Sequence, residues 1–244
     1  MGLAAGIVGL PNVGKSTILN ALCRAKAQTA NYPFCTIEKN IGTARVPDQI
    51  LVELQALLNP QEAIPATVEI VDIAGLVPGA SQGAGLGNRF LSHIGEVDAI
   101  LHVVRCFQDE NVSHVEGKAN PLRDVELIDT ELALSDLESI QKAIDRTKRD
   151  FSPEGRKTTQ ALEQIHSALA AGEPIRKLAL SEEERELTGA HRYLTGKPVL
   201  YVANVDDDGP YLENPGYLAL CQEFGTENVV PISAKLEEEC AQLE

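Results

Sequence analysis

Residues 9–16 read G-L-P-N-V-G-K-S, and the apolar run Leu3–Val8 leads straight into them. A glycine turn between a buried strand and a helix constrains the fold strongly. The loop must sit at the carboxyl edge of a sheet, with a helix predicted over Lys15–Cys23. Such a loop aims a row of backbone N–H groups and a helix N-terminus at one point, which an anion satisfies. Lys15 adds a point charge that reaches β- and γ-phosphates, and Ser16 offers a hydroxyl to Mg2+. Asn12, Val13, Gly14 and Thr17 complete the expected nucleotide-binding loop. The motif predicts a chain that binds a nucleoside triphosphate.

Six short runs, Leu3–Val8, Ile41–Val46, Thr67–Asp72, Ala99–Arg105, Val199–Asn204 and Val229–Ser233, read as strands. Most are nearly continuous in apolar residues, as strands buried on both faces of a largely parallel sheet are. Helical segments alternate with them, among them Asp48–Leu58, closed by Asn59-Pro60. The pattern is doubly wound α/β, with its ligand at the carboxyl ends of the strands. From about Leu122 to His191 the alternation stops. Val125, Ile128 and Leu132, then Leu137, Ile140 and Ile144, keep helical spacing with one slip between the two sets. Ser152-Pro153-Glu154-Gly155 reads as a turn, and Leu162, Ile165 and Leu169 mark a second helix ending near Gly172. Ser181 with Glu184 forms a capping box for a third. The narrow stripes predict a helical hairpin inserted between strands four and five. The expected division is 1–121 and 192–244 for the nucleotide domain and 122–191 for the insert.

With 36 acidic against 21 basic residues the chain carries a formal charge of -15, which argues against general DNA or phosphate-backbone binding. Five scattered cysteines show neither zinc spacing nor a disulfide framework, so a reducing, cytoplasmic compartment is expected. No run is apolar for long enough to span a bilayer.

Asp72-Ile73-Ala74-Gly75 ends strand three. A carboxylate there holds Mg2+ through water, and the Gly75 N–H meets the γ-phosphate. Gly79, Gly83, Gly85 and Gly87 follow, a composition suited to a loop ordered by the γ-phosphate and released on hydrolysis. Thr36 is placed to complete the Mg2+ shell with its hydroxyl, with Thr29 as its competitor. Ending strand five, Asn204-Val205-Asp206-Asp207 matches the N-K-x-D guanine reader except for Val205 in place of lysine. After strand six, Ser233-Ala234-Lys235 offers backbone N–H groups to a base.

Together the G-L-P-N-V-G-K-S, N-Y-P-F-C-T-I-E, D-I-A-G-L-V and G-A-G-L-G-N-R-F-L segments resemble the Obg-like ATPase family of YchF type, within the translation-factor class. The resemblance implies a Ras-like G domain, interrupted by a helical coiled-coil insert and followed by a TGS domain. It also implies Mg2+-dependent hydrolysis of ATP, sometimes GTP, and association with ribosomes. It points to His114, in the loop after strand four, as the group acting on the attacking water, with Gln82 as the second candidate. Asn12 resembles an asparagine that holds potassium beside the phosphates in some relatives, the other reading being a plain loop residue. Three features depart from the pattern. Asp207 stands where the family's N-x-x-E motif has glutamate, which weakens the ATP preference. Leu76 follows Gly75 where Ras-like enzymes carry a water-orienting glutamine. Finally, the chain is expected to stop before the last G-domain helix and the TGS domain, leaving a strand face uncovered.

Overall fold

A computed structural model describes residues 2–24, 41–73, 85–109 and 119–243, with the backbone alone at 24 and 85–89. Thr29, Thr36, Gly75, Leu76, Gln82 and His114 lie outside the described residues. The strands β1 (Leu3–Val8), β2 (Ile41–Arg45), β3 (Thr67–Asp72), β4 (Ala99–Arg105), β5 (Val199–Asn204) and β6 (Val229–Ile232) form one sheet. Its order is β2-β3-β1-β4-β5-β6. Every neighbouring pair is parallel except β2 with β3. Central strands are apolar on both faces, and Ile7, Val8, Ile100, Val103, Val104 and Ala203 are buried. At the edge, β2 is half exposed, as its mixed I-G-T-A-R composition requires. Strand order reverses between β1 and β4, where Val8 lies opposite His102. Loop 9–14 therefore leaves β1 at the crevice where a ligand belongs.

Helices α1 (Lys15–Arg24), α2 (Gln49–Leu58), α3 (Gly85–Glu96), α4 (Pro121–Thr147), α5 (Pro153–Ala170), α6 (Glu182–Thr188), α7 (Pro215–Phe224) and α8 (Ala234–Leu243) connect and cover the strands. Asp48 caps α2 by accepting from the Ile50 and Leu51 amides, and Asn59 closes it in the left-handed region at φ 43°. Among the described residues no helix is long and apolar enough to cross a membrane.

Two readings of the sequence need correction. Ser152-Pro153-Glu154-Gly155 is the start of α5, not a free turn: the Ser152 hydroxyl accepts from the Gly155 amide and Pro153 occupies the first turn. The chain also does not stop short of a helix after β6. Residues 234–243 form α8, which packs against α1, with Ala234 and Ala241 buried and Asn20 donating to Glu238 at 3.2 Å. Ser233 starts it by accepting from the Leu236 amide at 3.3 Å. A motif read only as a base-covering loop is also a helix cap.

The slip along α4 has a physical origin. Its buried stripe runs Ile128, Leu132, Asp136, Ile140, Ile144 at an unbroken spacing of four. An aspartate holds the middle position, so an apolar count breaks there. Ile128 and Leu132 belong to the core beneath the sheet, whereas Ile140 and Ile144 pack with Leu162, Ile165 and Leu169 of α5. Between the two cores, Asp136 accepts from the Leu194 amide (2.9 Å), the Thr195 amide (2.8 Å) and the Thr195 hydroxyl (2.7 Å). Burial pushes its carboxyl above the usual carboxylate range, and the Thr195 and Leu194 donors pull the other way. The Ser181–Glu184 capping box is formed at α6 as the spacing predicts.

Asp136→Ala strands three donors in the interior and should cost about 2–4 kcal/mol of stability. Thr195→Val removes one donor together with its need and should cost about 1 kcal/mol or less. Urea unfolding of both variants separates the two effects.

Candidate nucleotide-binding site

Loop 9–14 curves tightly because its residues permit it. A Cβ on Gly9 would come within 2.5 Å of the Val103 carbonyl oxygen, and Gly14, at φ +100°, packs against the Asn204 carboxamide where no side chain fits. Asn12 adopts the left-handed region at φ 62°, which asparagine tolerates. The curved loop turns carbonyls inward, and Lys15 bridges them. Its Nζ donates to the Gly9 carbonyl at 2.9 Å and to the Leu10 carbonyl at 2.7 Å. An ammonium carries three donors, so one remains for a ligand. Burial lowers the Lys15 pKa from its ordinary value, and attraction to Asp72 offsets part of the fall.

Ser16 and Asp72, both expected near Mg2+, lie side by side: the Ser16 hydroxyl donates to Asp72 Oδ2 at 3.0 Å. The other carboxylate oxygen, Asp72 Oδ1, is buried without a hydrogen-bond partner. A hydroxyl beside an orphaned carboxylate oxygen is the hard-oxygen donor set that Mg2+ takes. These residues fit the ion.

Asn204, at the end of β5, is buried and its carboxamide is committed at both ends. Its Nδ2 donates to the Val13 carbonyl at 2.8 Å, and its Oδ1 accepts from the Ala234 amide at 3.0 Å. The side chain thus joins the phosphate loop to the loop after β6. Val205 continues this tie through its amide, which donates to the Ile232 carbonyl at 2.9 Å. Beyond it, Asp207 and Lys235 form an ion pair at 2.5 Å. The hydrogen bond from Lys235 holds the Asp207 carboxyl below its usual range, and the same bond raises Lys235.

A cavity of about 420 Å³ opens beside these groups. Asn12, Gly14, Thr17, Asn204, Val205, Asp207, Ser233, Ala234 and Lys235 of the expected set all line it. Asp206 lines it too, and the rest of its wall escaped the sequence reading: Phe107, Gln108 and Asp109 of the loop after β4. Arg105 holds that loop, donating to the Phe107 carbonyl at 3.3 Å and the Asp109 carbonyl at 2.9 Å, with its guanidinium 4.5 Å from the Phe107 ring centre. Asp206 fixes the same loop by accepting from the Gln108 amide at 3.2 Å. The available signal was Arg105 itself, a charge ending a strand that is apolar apart from His102. Phe107 gives the cavity an aromatic face, so the Lys15 carbonyl cradle, the Ser16–Asp72 pair and this cavity are grouped at the carboxyl ends of the strands.

Residues 4–204 match the family described as 50S ribosome-binding GTPase. The ribosome-binding ATPase YchF of Haemophilus influenzae is 46% identical over 250 residues, covering all of this chain and 68% of that protein. Its counterpart in Bacillus subtilis is 46% identical over 253 residues, covering all of this chain and 69% of that one. The solved structure of the Schizosaccharomyces pombe YchF GTPase is similar at a TM-score of 0.83 and 35% identity, over 99% of this chain and 68% of the other.

Ser16→Ala removes one of the two described oxygen donors and leaves the cradle of Lys15 intact. Triphosphate affinity measured with Mg2+ should fall at least tenfold, while affinity measured in a metal chelator should change less than threefold. Equal losses in both conditions would remove Ser16 from the metal site.

Proposed function

The chain belongs to the family of 50S ribosome-binding GTPases and, within it, to the YchF group, and on that premise we propose that it is a Mg2+-dependent nucleoside-triphosphate hydrolase. In this reading it acts as a switch at the ribosome, in the cytoplasm, and prefers ATP to GTP. The observation that carries the reading is the juxtaposition of the Lys15 ammonium in its carbonyl cradle with the Ser16–Asp72 pair. The names of relatives at 46% identity support the ribosome and the ATPase activity. Residues 1–121 and 192–244 form the nucleotide domain, and 122–191 a helical arm.

Lys15 and the loop amides bind the phosphates and hold the γ-phosphoryl in line for attack. Ser16 and Asp72, with Thr36, would hold Mg2+, which would supply positive charge to the phosphates. The Gly75 N–H donates to a γ-oxygen. Water attacks the γ-phosphorus, the bond to the bridging oxygen breaks, and nucleoside diphosphate and inorganic phosphate leave. His114 orients that water and accepts its proton, because Leu76 offers no polar atom for the task. Asn12 would hold potassium, which would add positive charge of the kind an arginine finger supplies. At the other end the base enters the cavity beside Phe107, and the ion pair with Lys235 occupies the Asp207 oxygen that guanine would need.

Leu76 also favours a second reading, a nucleotide-gated ribosome-binding module with negligible hydrolysis of its own. Phosphate release measured with and without ribosomes separates the two. A rate that stays at background in both conditions supports the module.

For the base, ATP should bind more tightly than GTP by less than about tenfold, or ~1.4 kcal/mol. Asp207→Glu should widen that preference. Dissociation constants for both nucleotides test this, and a hundredfold preference for GTP would overturn the ATP assignment.

His114→Ala should lower kcat at least tenfold while nucleotide affinity stays within threefold, as for a residue used only in the transition state. If Gln82→Ala slows phosphate release and His114→Ala does not, the role passes to the glycine-rich loop.

A further inference from the structure

A second cavity, of about 590 Å³, lies away from the phosphate loop, between α4, the end of α5, the turn Ile175–Lys177 and the end of α7. Its wall is largely apolar, with Leu122, Val125, Leu134, Leu137, Leu169 and Phe224 among the lining. At its base stands Arg176. The guanidinium Nη2 donates to Asp129 at 2.8 Å and to the Tyr201 hydroxyl at 3.4 Å, whereas Nη1 is buried with no acceptor. Phe224 is fixed in the wall by stacking on Tyr201, with ring centres 4.1 Å apart, and the Lys177 ammonium lies 5.8 Å from the Phe224 ring centre. An apolar cavity with a few convergent polar groups is the usual form of a binding site.

The rim selects among occupants by charge. Asp129 is paired with Arg176, and among the other charges lining the cavity the exposed carboxylates Glu126, Glu173 and Glu223 outnumber the single ammonium of Lys177. An anionic ligand is repelled there. A second copy of a chain with formal charge -15 is repelled as well. We infer that this cavity docks a basic peptide segment of a partner protein through one apolar anchor. The anchor fills the space between Leu134, Leu137 and Phe224, and flanking lysines or arginines meet Glu126, Glu173 and Glu223. Buried anchors with a charged surround are how such contacts gain both affinity and selectivity. The inference is independent of the nucleotide chosen and of hydrolysis.

The probe is a fluorescent hexapeptide, blocked at both ends, with leucine and phenylalanine between two pairs of lysines. Its controls replace the lysines by glutamates, or the leucine and phenylalanine by serines. Anisotropy with the full chain should show saturable binding of the first peptide, at least tenfold stronger than of either control. The double change Glu173→Lys with Glu223→Lys should weaken binding at least tenfold. Leu134→Trp, at an exposed position on the cavity wall, blocks the anchor and should weaken binding by as much without touching the rim charges. Absence of saturable binding by the native chain would overturn the proposal. So would equal binding of the acidic peptide, native affinity in the charge-reversed or blocked variants, or a dimer in sedimentation that the probe cannot displace.

Discussion

One carboxamide holds the two ends of the site in register. Asn204 lies 191 positions from Val13 and 30 from Ala234, yet it bonds both. The contact requires Gly14 to carry no side chain, because the amide nitrogen occupies the space where a Cβ would stand. A buried, doubly committed amide has few alternative orientations, so it ties loop 9–14 to the start of α8. The Lys15 cradle lies on one side of this tie in sequence and the cavity-lining Ser233–Lys235 segment on the other, and Asn204 fixes the span between them.

The buried cations share a second rule. Lys15 is held by the carbonyls of Gly9 and Leu10, Lys197 by those of Gly95 and Val97, and Arg105 by those of Phe107 and Asp109. Backbone carbonyls accept from each of these cations in a chain rich in carboxylates. For Lys15 the carbonyl dipoles stabilise the ammonium without cancelling its charge, alongside its attraction to Asp72. At Lys197 the same device closes the end of α3 and fixes the entry to β5.

Much of this arrangement was legible in the residues. The strand–loop–helix run from Leu3 to Cys23 and the six strands follow from local patterns whose physics is short-ranged. What was hidden involves side chains that break the polarity rule because their partners are remote. Asp136 looks like a gap in an apolar stripe until the amides of Leu194 and Thr195 are seen to meet it. Phe107 looks like one more loop aromatic until Arg105 folds the loop back over the base cavity. Residues after Ser233 were given to a single task, although Ser-Ala-Lys followed by glutamates is also how a helix begins.

The shared helix α4 has a mechanical consequence. Its first half is part of the core under the sheet and its second half is part of the core with α5. Between Leu122 and Thr147 it contains neither glycine nor proline, the usual sites of bending. At 27 residues it is a rod of about 40 Å without an articulation at its root. A load applied at the far tip of the hairpin is therefore delivered as torque to Ile128 and Leu132, directly beneath the strands that carry the phosphate loop, instead of being absorbed in a pliant joint.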